Sequence, residues 1–283
     1  MVPLPPGEAR VAVRVVALDQ AGLRSRPAEV LVLQRDAKPV QGNLHVVAVG
    51  ISEYANPAYN LNFADEDAQA VAEALRQQAG AGRLYAEVQA TALVNADATA
   101  DAVRAALRRL AESADPADTA MLFIASHGVR DDEYQYYLAT HETNLADLAQ
   151  TAVPWNELQD LVRALRARRV LVLLDTCHSG GALGDYATTN QALGEMLAAR
   201  AGVMVLASSS ASERAYESQE WGHGAFTKAL LEALGGQSGG RLSPGVLEDF
   251  VGSRVSELTG GRQHPFVPLR TQFPAGTPIL LGG

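Results

Sequence analysis

The stretch TAMLFIASHG (residues 119–128) is apolar from Ala120 to Ala125 and then changes abruptly to Ser-His-Gly. A second stretch, RVLVLLDTCHSGG (169–181), has the same plan, with an apolar run that leads into a polar segment rich in glycine. Runs that are apolar throughout are typical of strands buried on both faces of a parallel sheet. The two stretches therefore predict neighbouring buried strands whose carboxyl ends carry polar and nucleophilic side chains.

Strands and helices alternate on both sides of these two runs. Further strands are predicted at LHVVAVG (44–50), EVQATAL (87–93) and GVMVLA (202–207), with an edge strand at 278–281. Apolar residues at helical spacing predict helices between the strands, as in the segment 68–75. This alternation predicts an α/β fold, in which a mostly parallel sheet of about six strands is sandwiched between helices.

The first residues follow a different pattern. RVAVRVVAL (10–18) and AEVLVL (28–33) predict the two strands of a hairpin, which is too little for a domain. We interpret residues 1–36 as a β-hairpin appendage that ends an immunoglobulin-like domain of a longer parent chain, and 37–43 as a linker. The alternative is a native hairpin that packs on the main domain, which spans 44–283.

Composition excludes several partners and compartments. The net charge is -9 and no run of Lys or Arg occurs, so neither nucleic acid nor an anionic membrane is expected as a partner. The single cysteine rules out an intrachain disulfide and suits a reducing cytosol, so we expect a cytoplasmic protein. No apolar run approaches the ~18 residues of a membrane span, and MVPLPPGEAR lacks the features of a signal peptide.

His127 and Cys177 are the candidate catalytic residues. If their strands are parallel and adjacent, both emerge at the carboxyl edge of the sheet, where such sheets bind ligands. A free thiol with a pKa of about 8.5 is only a few per cent thiolate at neutral pH, and a neighbouring imidazole can take its proton. The backbone N–H groups of Gly128 and Cys177 are candidate donors to the oxyanion of a tetrahedral intermediate.

Each residue alone has a plainer interpretation. A lone cysteine after an apolar strand is usually an inert core residue, and a lone histidine at a strand end is usually structural. The pair together, each member after a buried strand and each flanked by glycine, favours catalysis. His178 is a competing base, but adjacent side chains on an extended segment point apart. One Cys and scattered His residues give no metal-ligand spacing.

The segments around His127 and Cys177 resemble those of a known family. FIASHGV (123–129) resembles the histidine motif of the caspase–metacaspase superfamily, and LLDTCHSGG (173–181) resembles its cysteine motif, in the same order and at a similar separation. HVVAVGISEY (45–54), LNFADEDAQAVAEAL (61–75) and GHGAFTKALLEAL (222–234) extend the resemblance. The sequence is most similar in plan to bacterial metacaspase-like members, the orthocaspases. The resemblance implies a caspase-like fold and a peptidase domain over 44–283.

The resemblance also implies roles for individual residues. It makes Cys177 the nucleophile and His127 its base in a cysteine endopeptidase that forms a thioester acyl-enzyme. The metacaspase pattern places Asp175 and Asp67 in the S1 pocket, which favours Arg or Lys at P1. Ser209, in the segment after the strand at 202–207, is a candidate for binding the substrate backbone. Ala125 departs from the metacaspase pattern, which commonly has serine there, so the choice between Arg and Lys stays open.

Three alternatives stay open on sequence grounds. A preference for Asp at P1 would need arginines, and Ser212-Glu213-Arg214 is the nearest candidate. A degenerate member could be a non-catalytic interaction and signalling module, although the intact His127 and Cys177 argue against it. A redox-sensing thiol would lack a second, resolving cysteine.

Partners and cofactors follow from the same resemblance. We expect protein or peptide substrates, a monomer, and a sensor domain upstream in a longer parent chain. No cofactor is required for the chemistry. Activation by Ca²⁺ stays open because the resemblance extends to calcium-dependent metacaspases, although no EF-hand-type loop is present.

Overall fold

The computed structural model describes residues 10–17, 25, 28–33, 41–80, 82–176, 194, 197, 202–210, 213–268 and 278–282. The chain divides into two compact units, Met1–Gln41 and Gly42–Gly283. In the first unit, β1 (Arg10–Val15) and β2 (Ala28–Leu33) pair antiparallel. The strand-period alternation in these two sequences favours this pairing, and the predicted hairpin is confirmed.

The second unit contains strands β3 (Leu44–Gly50), β4 (Val88–Val94), β5 (Thr119–Ala125), β6 (Gly128–Arg130), β7 (Tyr136–Ala139), β8 (Ala152–Pro154), β9 (Arg169–Leu174), β10 (Val203–Ala207), β11 (Glu217–Ser218), β12 (His223–Gly224), β13 (Gly240–Leu242) and β14 (Leu280–Gly282). Its helices are α1 (Ala64–Arg76), α2 (Ala100–Ser113), α3 (Leu148–Thr151), α4 (Trp155–Ala164), α5 (Ala225–Glu232) and α6 (Pro244–Leu258). Short 3-10 turns lie at Pro57–Tyr59 and Asn95–Asp97, and a π-helical turn at Ala233–Gln237.

A parallel sheet in the order β10-β9-β5-β3-β4 forms the centre of this unit. Strands β3, β5 and β10 are buried throughout, and β9 is buried except at its first residue. Strand β4 lies at one edge and alternates between exposed and partly buried residues. The continuous apolar runs of the sequence are therefore the strands with both faces covered, and the predicted α/β fold with a parallel sheet between helices is confirmed.

The expected edge strand at 278–281 does not join the central sheet. Its described part, β14, pairs antiparallel with β13 instead. The Tyr85 hydroxyl donates to the Ile279 carbonyl (2.6 Å), and the Ile279 N–H donates to the Leu242 carbonyl (2.8 Å), so this segment is held on both sides. Beside β10, Ala207 and Phe266 form an antiparallel bridge, so among the described residues the central sheet has five full strands. Apolar character predicted that Ile279 and Leu280 are buried, but it cannot specify their partner strand.

Apolar side chains form one layer on each face of the sheet. Helices α2 and α4 cover one face and α1, α5 and α6 cover the other. Consecutive residues of β3 divide between the two layers, with Val47 and Val49 in the first and Val46 and Ala48 in the second. This division follows from the two-residue period of a strand.

Helix α1 approaches the carboxyl end of β3 very closely. A Cβ atom on Gly50 would lie 2.1 Å from the Ala64 carbonyl oxygen, so only glycine fits at this position. The close approach brings the first turn of α1, with Asp65, Glu66 and Asp67, to the carboxyl edge of the sheet.

Candidate active site

The carboxyl ends of the central strands lie side by side. In the parallel register Ile124 is opposite Leu174, and Leu174 is opposite Ala207. The N–H of Asp175 donates to the Ile124 carbonyl (2.7 Å), which fixes the chain directly after β9 against β5. Asp175 and His127 therefore emerge at the same edge, as the sequence predicted for residues that follow neighbouring parallel strands.

His127 is almost fully buried, and one of its ring nitrogens has a fixed partner. The residue is only 1% exposed, and its Nε2 lies 2.7 Å from the carbonyl oxygen of Tyr59. A carbonyl oxygen only accepts hydrogen bonds, so Nε2 carries the proton in the neutral ring. The lone pair is then on Nδ1, which is the nitrogen that can receive a proton from a thiol.

Tyr54 fixes the backbone and the ring of His127. The Tyr54 hydroxyl accepts from the His127 backbone N–H at 3.2 Å. The two rings lie with centroids 5.2 Å apart at an angle of 30°. Both Tyr54 and Tyr59 belong to the segment between β3 and α1, so this segment determines where the imidazole lies.

Gly128 has a backbone N–H in the right setting for an oxyanion donor. The N–H of Ala139 donates to the His127 carbonyl (3.0 Å), which makes His127 and Ala139 a hydrogen-bonded position of the β6–β7 ladder. The next pair, Gly128 and Leu138, is then a non-hydrogen-bonded position. The Gly128 N–H therefore points away from β7.

Cys177 lies outside the described residues. The chain is described as far as Thr176, which is buried at 1% exposure. His127 and Asp175 are both placed at the edge that the sequence predicted. The pairing of His127 with Cys177 rests on this placement and on the two sequence motifs.

An acidic pocket lies at the ends of β5 and β9, at the sheet edge from which His127 emerges. Its lining consists of Ala64, Asp67, Ala125, Asp175, Ala215, Tyr216, Glu217 and Gly224. Asp67 and Asp175, which the sequence predicted as pocket residues, are thus brought together by the fold, and Glu217 is a third carboxyl that the sequence did not single out. Ala125 also lines the pocket and supplies no hydroxyl there.

Gly224 separates the two aspartates. A Cβ atom at this position would lie 3.1 Å from Asp67 Oδ2 and 3.2 Å from Asp175 Oδ2. Both carboxyl groups therefore face the same small space, which glycine keeps open. The backbone N–H of Gly224 donates to Asp67 Oδ2 (3.1 Å), and His223 Nδ1 lies 2.7 Å from Asp67 Oδ1.

The three carboxyl groups share a low-dielectric environment. Burial raises the pKa of Asp175 to about 7, and the negative charge of Asp67 adds to this rise. Burial also raises the pKa of Asp67, although hydrogen bonds from His223 and Gly224 oppose it, and burial raises the pKa of Glu217. Acid groups crowded in one buried space repel each other when ionised, and a cation between them relieves this repulsion.

Glu217 is held in the pocket from the side of α1. Its Oε2 accepts from Asn62 Nδ2 at 2.7 Å. Glu217 and Gly224 are paired across the short antiparallel β11–β12 hairpin. The hairpin thus supplies one wall of the pocket, and α1 with the preceding residues supplies the other.

Ser209 lies just beyond β10 and is fully buried. The neighbouring Ser208 is also buried, and its carbonyl accepts from Gln263 Nε2 at 2.8 Å. Gln263 Oε1 accepts in turn from the Tyr216 N–H (2.8 Å), so the segment after β10 is fixed next to the pocket. A role of Ser209 in binding the substrate backbone stays a prediction.

Sequence reasoning missed Tyr59, Glu217 and His223. Tyr59 acts through its carbonyl oxygen, which every residue type has, so no sequence signal marks it. Glu217 and His223 lie in a polar segment that also fits a solvated loop. The motif GHGAFT (222–227) contained His223 and Gly224, and its position after the last central strand was the one available signal.

Within the described part of the chain, no group of three or more His, Asp and Glu side chains is arranged to hold a metal ion. None of the helices in the same residues has the length and apolar character needed to cross a membrane.

The parallel sheet, the buried imidazole at its carboxyl edge and the carboxyl-lined pocket at the same edge define an α/β domain with a candidate active site. The family model of the caspase domain matches residues 44–272, so the chain belongs to the caspase domain family, a family of cysteine peptidases. The predicted membership of the caspase-like superfamily is confirmed.

A solved structure supports the same fold. The crystal structure of protein GSU0716 from Geobacter sulfurreducens superposes with a TM-score of 0.58 and 17% sequence identity, over 80% of this chain and 92% of that chain. At this identity the likeness concerns the fold alone. The comparison with curated proteins gives no significant match.

Proposed function

We propose that this chain is a cysteine endopeptidase that cleaves peptide bonds after Arg or Lys, with Cys177 as nucleophile and His127 as base. The observation that carries the proposal is the acidic pocket. Three carboxyl groups line it, and one of them, Asp175, stands two residues before Cys177. The pocket also contains Ala125, two residues before His127, so it lies where the P1 side chain of a bound peptide would enter.

The catalytic steps follow from the orientation of His127. The thiol proton of Cys177 passes to Nδ1, because Nε2 is already committed to the Tyr59 carbonyl. The thiolate attacks the scissile carbonyl, and the N–H groups of Gly128 and Cys177 stabilise the oxyanion. The imidazolium then protonates the leaving amine, and the thioester remains. Water, deprotonated by the same nitrogen, attacks the thioester and releases the acid product and the thiol.

Charge favours a basic P1 side chain. Asp67 already accepts hydrogen bonds on both oxygens, from His223 and from Gly224. Asp175 Oδ2 accepts a long hydrogen bond from Thr227 Oγ1 (3.5 Å), and Glu217 Oε2 accepts from Asn62 Nδ2. We assign Asp175 and Glu217 as the main acceptors for a guanidinium or ammonium group. Among the described residues that line the pocket none is Arg or Lys, so an Asp side chain at P1 would meet repulsion from these carboxyls. This arrangement disfavours the acidic-P1 alternative.

A peptide panel tests the proposal. Fluorogenic peptides that differ only at P1 (Arg, Lys, citrulline, Asp, Ala) are assayed with wild-type protein, with and without Ca²⁺. We expect cleavage of the Arg and Lys peptides, and loss of at least ~10³-fold in kcat/KM for Cys177→Ala and His127→Ala.

Asp175→Asn should remove the preference for basic P1, whereas Asp101→Asn is a matched control because its side chain is 99% exposed on α2. A preference for Asp at P1 would refute the pocket assignment and leave the catalytic pair intact. Absence of any cleavage and of thiol labelling by a peptide electrophile would favour the non-catalytic module.

A further inference from the structure

We propose that Asn95 is a positioning residue for His127, acting through the segment 51–63, which we name the histidine loop. This inference rests on the proposed role of His127 as the base. Asn95 lies directly after β4, and the histidine loop begins directly after β3, the neighbouring strand. No described hydrogen bond joins Asn95 to His127, so any influence passes through the loop.

The Asn95 side chain binds the beginning of the histidine loop through Oδ1 and the first turn of α1 through Nδ2. Oδ1 accepts from two successive backbone N–H groups, those of Ser52 and Glu53, each at 2.9 Å. Nδ2 donates to Asp65 Oδ2 at 2.8 Å. The backbone of Asn95 has φ 47°, a left-handed conformation that asparagine adopts more readily than most residues.

Asp65 closes this network from the other end of the loop. Its Oδ1 accepts from the Ser52 hydroxyl at 2.5 Å, and the same hydroxyl oxygen accepts from the Asp65 backbone N–H at 3.1 Å. The Leu61 N–H donates to the Ser52 carbonyl (3.0 Å). The two ends of the loop are therefore tied to each other, and Asn95 ties them to the end of β4. His141 holds the same part of the loop from another side, because its Nδ1 lies 2.7 Å from the Glu53 carbonyl oxygen and its own carbonyl accepts from the Ala55 N–H (2.8 Å).

The middle of the histidine loop carries the two groups that hold His127. Tyr54 OH accepts from the His127 backbone N–H, and the Tyr59 carbonyl accepts from Nε2. The Tyr54 N–H donates to Asn60 Oδ1 (2.8 Å), so the residues that contact His127 also hold each other. A displacement at Ser52 and Glu53 would therefore move the Tyr59 carbonyl and weaken the hydrogen bond that selects the Nε2–H tautomer.

Asn95→Asp is the decisive substitution. It replaces the donor Nδ2 by an oxygen that faces Asp65 Oδ2 across a 2.8 Å contact, so two acceptors meet and the loop must move. A misplacement of about 1 Å costs on the order of 10²-fold in rate, so kcat/KM for an Arg-P1 peptide should fall by about that factor. Asn95→Gly removes the same hydrogen bonds without charge repulsion and without backbone strain, and kcat/KM should also fall, by about tenfold or more.

The double variant Asn95→Asp with Asp65→Asn is the matched control. Asp at 95 can still accept from the two backbone N–H groups, and Asn at 65 can donate to it, so the hydrogen bond is retained with its donor reversed. We expect the double variant to recover kcat/KM to within about threefold of wild type.

The pH profile separates positioning from mere loss of fold. Loss of folded protein scales every rate equally and leaves the shape of the kcat/KM profile unchanged. A displaced Tyr59 carbonyl changes the protonation of His127, so the limbs of the profile should shift in Asn95→Asp and Asn95→Gly and return in the double variant. Thermal unfolding of each variant gives the folded fraction for comparison.

Several results would overturn the inference. The first is a folded Asn95→Gly variant that keeps the wild-type kcat/KM. The second is a fall in kcat/KM of both single variants that equals their unfolded fraction, with an unchanged shape of the pH profile. The third is a double variant that folds but does not recover kcat/KM. Failure of the proposed function gives a different pattern, because wild type would then cleave no Arg-P1 peptide, or His127→Ala and Cys177→Ala would keep its activity. If those two variants are inactive and the Asn95 variants behave as wild type, only the present inference fails.

Discussion

His223 Nδ1 lies 2.7 Å from Asp67 Oδ1, and this hydrogen bond joins residues 156 positions apart in the chain. His223 belongs to the β11–β12 hairpin and Asp67 to the first turn of α1, so the bond connects the two walls of the acidic pocket. The Asp67 side chain is only 3% exposed, whereas that of His223 is 21% exposed. The bond therefore links the buried carboxyl of Asp67 to the imidazole of His223, which is partly exposed to solvent.

Replacing His223 by Ala should weaken substrate binding more than catalysis. Asp67 would keep the Gly224 N–H but lose its stronger partner, which favours the protonated, uncharged carboxyl and loosens the hairpin. We expect KM for an Arg-P1 peptide to rise several-fold with a small change in kcat, and stability to fall by about 1–3 kcal/mol. His223→Asn, which can still donate, should recover part of both. Equal KM values for wild type and His223→Ala would contradict the role of the bond.

Affinity for basic peptides should depend on pH near neutrality. Burial and the neighbouring Asp67 raise the pKa of Asp175 to about 7 in the empty pocket, so a cation that binds the ionised form must displace a proton below that pH. We expect KM for Arg-P1 peptides to improve by up to about tenfold per pH unit on the acid side of 7 and to level off above it. The citrulline-P1 peptide, which is neutral, should show no such trend. Parallel curves for the two peptides would argue against proton release from Asp175.

Asp175→Asn should stabilise the fold at alkaline pH while it removes activity on basic peptides. The pKa of this carboxyl is about 7 when folded, against an ordinary value of 3.8. The folded state binds the Asp175 proton more tightly than the unfolded state does. The protonated carboxyl therefore contributes stability that is complete below about pH 4 and is lost as pH rises through 7. At pH 8 we expect the variant to be more stable than wild type by roughly 2–4 kcal/mol. Urea unfolding at pH 5 and pH 8 measures the difference, which should shrink at the lower pH.

Gly224→Ala should obstruct the pocket without unfolding the protein. The new methyl group would lie between Asp67 Oδ2 and Asp175 Oδ2, at 3.1 and 3.2 Å, where the P1 cation is proposed to bind. We expect kcat/KM for Arg-P1 peptides to fall about tenfold or more, because even small displacements of reacting groups are costly.

Gly252→Ala is the matched control for this substitution. Gly252 lies in α6, and a Cβ atom there meets nothing within 4 Å. It should leave activity unchanged and add about 0.5–1 kcal/mol of stability, because alanine favours a helix. Unchanged activity of Gly224→Ala would place the P1 side chain elsewhere.

Much of the fold was predictable because burial on both faces leaves a strong sequence signal. The runs 119–125 and 169–174 match β5 and β9 residue for residue, and 44–50 matches β3. The site at the carboxyl edge followed from the rule that residues after adjacent parallel strands lie together. His127, Asp175 and Asp67 reach that edge through separate elements, and sequence motifs marked all three.

The rest depends on contacts that a sequence does not display. The partner of His127 Nε2 is a backbone carbonyl, and the wall formed by Glu217 and His223 depends on how a two-residue strand pairs with its neighbour. Likewise, the apolar residues Ile279 and Leu280 indicate burial, but their pairing with β13 and the hydrogen bond from Tyr85 to Ile279 leave no sequence signal. Hydrophobic patterns specify which residues are buried, whereas loops and short hairpins are specified by individual polar contacts.

The long sequence distance between Asp67 and its partners His223 and Gly224 has a consequence for newly made protein. Synthesis proceeds from the N-terminus, so a chain still on the ribosome that ends before Gly224 contains His127 and Asp67 but lacks the opposite wall of the pocket. Such a chain has no complete site with which to select a basic residue. Under the proposed function, selectivity for a basic residue would therefore arise only after the β11–β12 hairpin has been made and has docked.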